Sequence, residues 1–224
     1  MIVQSMTPEE VYREIDKDIE DVSEWWMRKR KMMIRIAKAT TWKFPFVKWF
    51  EYQSPRHNHY MVKSIAMGRN YNNESLTAVF ALVKMERGYA IYFTRFTWQM
   101  VANNIAILPH VFDRYADPER CNVKKTGIEL IKHYVDHNVY GEPTDNQRLS
   151  GRSVRYKGRN NICLSVNDGV LLGEMLGDIF VAHTIITYEM ASGLQREEFE
   201  KNKGKLLPNQ EIQQQIKRIY NIWD

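Results

Sequence analysis

The hydrophobic residues of this chain change their period near residue 44, and that change constrains the fold more than any other feature. Before it, Val11, Ile15, Ile19, Val22 and Trp26 follow i+4 and i+3 spacing, and Met32, Met33 and Ile36 extend the series. This spacing draws one apolar stripe on a helix, to be laid on a sheet or a partner helix. Thr7-Pro8-Glu9-Glu10 marks the start. Thr7 can cap, Pro8 suits the first helical position, and Glu10 completes a capping box. The pattern runs to about Thr40, as one helix or two.

After it the period falls to two. Phe46–Tyr52 and Tyr60–Met67 read as strands around a turn at residues 54–58. Leu76–Met85 and Tyr89–Phe96 read as a hairpin turning near Gly88, with Arg95 on the face of Tyr89, Ile91 and Phe93. A short strand or turn follows at Asn103–Leu108. Pro109 then opens a short helix ending near Asp117-Pro118, and Thr126 caps another through about His137. The stretch 140–151 reads as a loop. Beyond it, strands at 162–166, 170–175 and 179–187 turn at Asn167-Asp168-Gly169 and Gly177-Asp178, giving a three-stranded antiparallel meander. Helical patterns at about 189–203 and 209–222 close the chain.

The expected fold is therefore α+β, as a single domain over residues 1–224. Its parts are a helical arm (1–42), a strand-rich segment (43–108), two helices (109–140), a basic loop (141–160) and a meander with closing helices (161–224). A chain of 224 residues with 44% hydrophobic residues can bury a sizeable core. No apolar run reaches the roughly 18 residues of a membrane span, and the N-terminus shows no signal-peptide pattern. Cys121 and Cys163 are too few for a disulfide scaffold, so a reduced, cytoplasmic protein is expected.

The net charge of +5 is unevenly spread. Residues 8–24 hold eight acids against Arg13 and Lys17, whereas residues 25–50 hold eight bases and no acid. Residues 146–167 are also acid-free and carry Arg148, Arg152, Arg155, Lys157 and Arg159. Such blocks suit phosphate backbones. A helix with acids first and bases last also complements its own macrodipole. Trp25, Trp26, Trp42, Phe44, Phe46, Trp49 and Phe50 lie among the bases of the second block. Aromatics so placed suit single-stranded nucleic acid, but aromatics this dense are normally core.

The most specific cluster is Pro109-His110-Val111-Phe112-Asp113-Arg114-Tyr115, followed by Glu119-Arg120. His110 and Arg114 are four apart and share a helical face. An imidazole can move a proton near neutral pH, and a guanidinium can hold a phosphate. The same residues would serve structure if Arg114 paired with Asp113 or Asp117. His-x-x-x-Arg-Tyr with a further Arg soon after resembles the helix of small toxin-like proteins related to the RelE, barnase and colicin ribonucleases. The resemblance covers about residues 107–190. It implies a His/Arg helix, a second helix and a small antiparallel sheet, with endoribonuclease activity. This chain departs from the pattern at Pro118 and in the added strand-rich segment 44–97.

His183 lies on the last meander strand, as a core residue or as a second acid/base partner to His110. Arg56, Asn58 and Tyr60 alternate, so they would share one side of an early strand. There Arg could bind phosphate, Asn read a base edge and Tyr stack; otherwise they form a polar turn. His57 and His59, and His133 and His137 at i,i+4, offer two metal ligands each, with no HExxH or cysteine pair beside them. P-loop, GxGxxG and GxSxG patterns are absent.

The functional expectation is a nucleic-acid-acting protein, a metal-independent endoribonuclease of toxin-like ancestry. His110, Arg114, Arg120 and His183 would be catalytic, and Arg56, Asn58, Tyr60, Arg152 and Arg155 would contact nucleic acid. No cofactor or metal is expected, and the partner would be single-stranded RNA. The alternative is a non-enzymatic nucleic-acid- or protein-binding module of mobile-element or phage-like origin. Nothing in the sequence sets the oligomeric state.

Overall fold

The computed structural model describes residues 1–39, 44–72, 75–94, 104–138, 142–144, 161–191 and 194–205. The first stripe forms a single helix, α1 (Pro8–Ala39), that buries Val11, Ile15, Val22, Trp26, Met33 and Ala37. Its capping box is reciprocal. The Thr7 backbone N–H donates to Glu10 Oε2 at 2.8 Å, and the Glu10 N–H donates to Thr7 Oγ1 at 3.4 Å.

The strands follow as β1 (Phe46–Gln53), β2 (His59–Ala66), β3 (Ser75–Met85), β4 (Gly88–Phe93) and β5 (Asn104–Ile107). Two helices come next, α2 (Pro109–Ala116) and α3 (Gly127–Asn138). Then come β6 (Glu142–Thr144), β7 (Asn161–Val166), β8 (Gly169–Leu176), β9 (Ile179–Ile186) and α4 (Leu194–Lys205). The chain is α+β, with the N-terminal helix first. The expected 140–151 loop contains β6, and a 3-10 turn at Tyr188–Met190 precedes α4. Arg95, Trp42, Arg152, Arg155 and the expected 209–222 helix lie outside the described residues.

The nine strands of the described residues join one sheet in the order β1-β2-β3-β4-β5-β9-β8-β7-β6. Every pairing is antiparallel except β5 with β9, where Ala106 faces Val181. That parallel joint welds the N-terminal strands to the C-terminal meander.

Alternation of side chains then separates two faces. On one, Val62, Val79, Ala81, Tyr92, Ile179 and Val181 pack with α1. On the other, Phe80, Ile91, Ile105, Phe180 and Ile185 pack with Val111, Phe112 and Tyr115 of α2 and Ile131 and Tyr134 of α3. At the far end of the α1 face, Cys163 and Val170 pack with Tyr188 and with Phe199 of α4. Phe46, Phe50 and Trp26 are core, while Trp25 is half-buried and stacked on Tyr52 at 4.8 Å.

Between Leu172 and Gly173 the β8–β9 register shifts, so that Leu172 pairs with Thr184 and Gly173 with Ala182. His183 is the extra residue of that bulge. Gly173 has no side chain for a reason: a Cβ there would lie 2.1 Å from the Val181 carbonyl oxygen. No helix among the described residues is long and apolar enough to cross a membrane.

Candidate nucleic-acid interface

Pro109 begins α2 at its first turn, where a missing N–H costs nothing, and Val111, Phe112 and Tyr115 turn inward. His110 is thereby left exposed, with Arg114 beside it. The Arg114 Nε–H donates to His110 Nε2 at 3.3 Å. His110 Nε2 therefore offers a lone pair, which places the proton of the neutral ring on Nδ1.

Arg114 also donates to Asp117 Oδ2 at 3.2 Å. The Glu119 backbone N–H lowers the pKa of Asp117, and Arg114 and Arg120 lower it further. Arg120 acts as a strut. Its Nη1 donates to the Ile185 carbonyl at 2.7 Å and its Nε sits 3.6 Å from Asp117 Oδ2, with the side chain 17% exposed. Beside α2 a cavity of about 230 Å³ opens between the β3–β4 turn and the α2–α3 loop. Phe112, Leu130 and Ile131 form its apolar wall, and Arg87, Lys125 and Asp113 contribute charge.

His183 does not join this site, which corrects its pairing with His110. Its Nε2 lies 3.0 Å from Glu174 Oε1. Glu174 alternates on β8 with Met175, which packs with the α2–α3 layer, so the His183–Glu174 pair stands on the opposite face of the sheet. Alternation with Ile179 and Val181, which pack with α1, puts His183 on that face, and the bulge parts it from Ile185, which packs with the α2–α3 layer.

Arg56, Asn58 and Tyr60 do converge, but around a carboxylate of α1. Asp18 is completely buried. Its Oδ2 accepts from Ser54 Oγ at 2.7 Å, Asn58 Nδ2 at 2.7 Å and Tyr60 OH at 2.9 Å. Arg56 Nε lies 3.4 Å from Oδ1. Asn58 Oδ1 also accepts from the Ile2 backbone at 2.6 Å. Asn58 and Tyr60 are 3% and 0% exposed, so neither can read or stack a base; this corrects their expected role. Arg56 alone of the three reaches solvent.

A second polar cluster escaped sequence reasoning. At the β7–β8 turn, Asp168 Oδ2 accepts from Tyr115 OH at 2.5 Å and from Asn138 Nδ2 at 2.9 Å. The Asp168 N–H returns a bond to Asn138 Oδ1 at 2.9 Å. His133 Nδ1 lies 3.2 Å from the Tyr115 oxygen. Because that hydroxyl proton goes to Asp168, His133 must donate from Nδ1. Burial, then the neighbouring His137, pushes the His133 pKa down to about 4. Burial raises the Cys121 thiol to about 12, which makes it a poor nucleophile. The His133 and His137 rings lie 4.1 Å apart and tilted by 35°, and His137 Nδ1 bonds the His133 carbonyl at 2.8 Å. His59 sits 3.5 Å from Glu51. Among the described residues, no group of three or more His, Cys, Asp or Glu could hold a metal.

Comparison with protein-family models, curated proteins and solved structures finds no match to this chain.

Proposed function

We propose that the protein acts on nucleic acid, meeting an RNA phosphodiester at the exposed face of α2 and cleaving it without a metal. The observation that carries this reading is the contact between His110 and Arg114, 3.3 Å apart on that face. Once the phosphate draws the Arg114 guanidinium off Nε2, a neutral His110 would take the proton of a 2′-hydroxyl at that atom as its oxygen attacks phosphorus. The bond from phosphorus to the 5′ oxygen then breaks, and that oxygen takes a proton from water. A 2′,3′-cyclic phosphate and a 5′-hydroxyl result. Arg114 would place its guanidinium against the charge that builds on the phosphate. Arg120 serves by fixing Asp117 and the loop rather than by touching RNA. A reducing, cytoplasmic setting agrees with two free cysteines, one of them buried.

A second reading, a binding module without cleavage, is favoured by one observation. With His183 across the sheet, the acid/base partner expected for His110 is missing from this face.

The test incubates end-labelled single-stranded RNA with the protein in EDTA, beside His110→Ala and Arg114→Ala. The proposal expects cyclic-phosphate ends from the intact protein and a loss of roughly a hundredfold or more in each variant. Arg114-dependent binding without cleavage would establish the second reading. Absence of both binding and cleavage, or cleavage equal in all three proteins, overturns the proposal.

A further inference from the structure

The acid-free block of α1 forms a regular surface. Arg28, Lys31, Arg35 and Lys38 are all exposed, at intervals of three, four and three residues. On a helix these intervals make one solvent-facing row. At a rise of 1.5 Å per residue the row is about 15 Å long, with a cation roughly every 5 Å. None of the four forms an ion pair with a carboxylate among the described residues. Glu24, four residues before Arg28, stands where a helical ion pair would be expected, yet the two side chains do not come within ion-pair distance.

Three more cations flank the row on aromatic rings. Lys29 lies over Trp25 at 5.7 Å, Arg30 over Tyr71 at 5.9 Å and Lys48 of β1 over Phe50 at 5.8 Å. The helix macrodipole explains only the end of this pattern, because its effect fades within the last turn. Lys38 stands in that turn, whereas Arg28 and Lys31 are more than one turn before it.

We infer that this row is a docking face for the phosphodiester backbone of a nucleic acid. The partner must offer closely and evenly spaced negative charge, which a phosphate chain does. A lipid surface fits less well. The apolar stripe of α1 is already spent on the sheet, and Met27 is its only large hydrophobic residue that is exposed. The exposed acids Glu20, Asp21 and Glu24 lie just N-terminal to the row. They repel a polyanion and so confine it to the C-terminal half of the helix. This face lies across the sheet from α2, so the inference does not rest on the function proposed there.

The experiment measures fluorescence anisotropy of a labelled 20-nucleotide oligo(U) RNA with the full chain between 50 and 200 mM KCl. The comparison protein carries Arg28→Gln, Lys31→Gln, Arg35→Gln and Lys38→Gln together, and circular dichroism checks its fold. Losing four phosphate contacts should flatten the slope of log K against log salt by about 3 and weaken binding at 50 mM KCl more than a hundredfold. Lys84→Gln, at an exposed cation of β3 outside both faces, serves as the control: it should change the slope by about 1 or less. Tighter binding of a duplex, lost in the same variant, supports the same backbone chemistry and names the duplex as its source. An unchanged slope in the quadruple variant overturns the inference. So does binding of phosphatidylserine vesicles or polyglutamate as tight as that of RNA, or binding of neither RNA nor duplex.

Discussion

The buried polar side chains of this protein are satisfied by partners far away in the chain, and their energetics follow from that. Asp18 receives three hydrogen bonds from residues 36 to 42 positions later, in a site closed to water. Asp18→Ala would leave those donors unpaired and strand Arg56. It should cost about 3–5 kcal/mol in urea unfolding, whereas Asp18→Asn, which keeps one acceptor, should cost less. Equal stability of all three proteins would show that the network contributes nothing. His133 gives a pH-dependent counterpart. Its folded pKa, about 4, lies below the ordinary value of 6.5. Between those values the unfolded chain binds the extra proton. The His133 contribution is therefore complete above about pH 6.5 and is lost as pH falls towards 4. Stability of the intact protein should fall by on the order of 2 kcal/mol more than that of His133→Gln between pH 7 and pH 4. Parallel pH profiles for the two would refute this. Neither cluster was legible beforehand. Asp18 sits in a run of exposed acids, and Asp168 in a pattern that marks only a turn. The His110–Arg114 pair was legible because its spacing is local to one helical turn.

Elements whose signals are local follow the sequence closely. The Thr7 capping box, the Gly88 hairpin and Pro109 at the start of α2 each need only four or five adjacent residues. What holds elements to one another is less visible. Lys63 projects from β2 with 2% of its side chain exposed, and its ammonium lies 2.8 Å from Asp136 of α3. Burial lowers its pKa, opposed by Asp136. Alternation along β2 does not reveal the burial of Lys63, because nothing nearby in the sequence shows that α3 will cover it. The ion pair anchors α3 on the sheet, but its desolvation cost is large. Removing one partner should therefore hurt more than removing both. Asp136→Ala should destabilise by about 3 kcal/mol or more, whereas the double replacement of Lys63→Met with Asp136→Leu should be close to neutral, both by urea midpoint. A larger loss in the double variant would mean that the pair is a net source of stability. The bulge at His183 was hidden for a related reason: the close approach of Gly173 to Val181 belongs to strand pairing, not to either strand alone.

At the scale of the molecule, everything turns on four residues of β5. Residues 104–107 pair with 179–182, a separation of 75 positions with no turn to announce it. Both strands are buried on both faces, so they carry no alternation to reveal their neighbours. The short joint is reinforced from both sides. α1 touches both β2 and β9, while α2 touches β4 and β9. Tyr12 OH of α1 donates to the Phe93 carbonyl at 3.1 Å, and Asn104 Nδ2 donates to Asp178 Oδ2 at 3.1 Å across the joint. Fully burying side chains such as Ile105, Ile107, Phe180 and Val181 contributes about 1.5–3 kcal/mol each. Opening the joint would expose these side chains and strip two helices of half their seat. The N-terminal strands and the meander should therefore unfold together. Natural probes lie on either side. Trp25, Trp26 and Trp49 report on α1 and β1, and the buried thiol of Cys163 reports on β7. With Cys121→Ala, Trp42→Phe, Trp98→Phe and Trp223→Phe in the same chain, tryptophan fluorescence and Cys163 labelling by a thiol reagent should give one urea midpoint. Replacing Ala106, fully buried in the joint, with Asp should lower both midpoints by the same amount. If Cys163 becomes reactive at a urea concentration where the tryptophans remain native, the two halves are separate cooperative units and the sheet is continuous in form only.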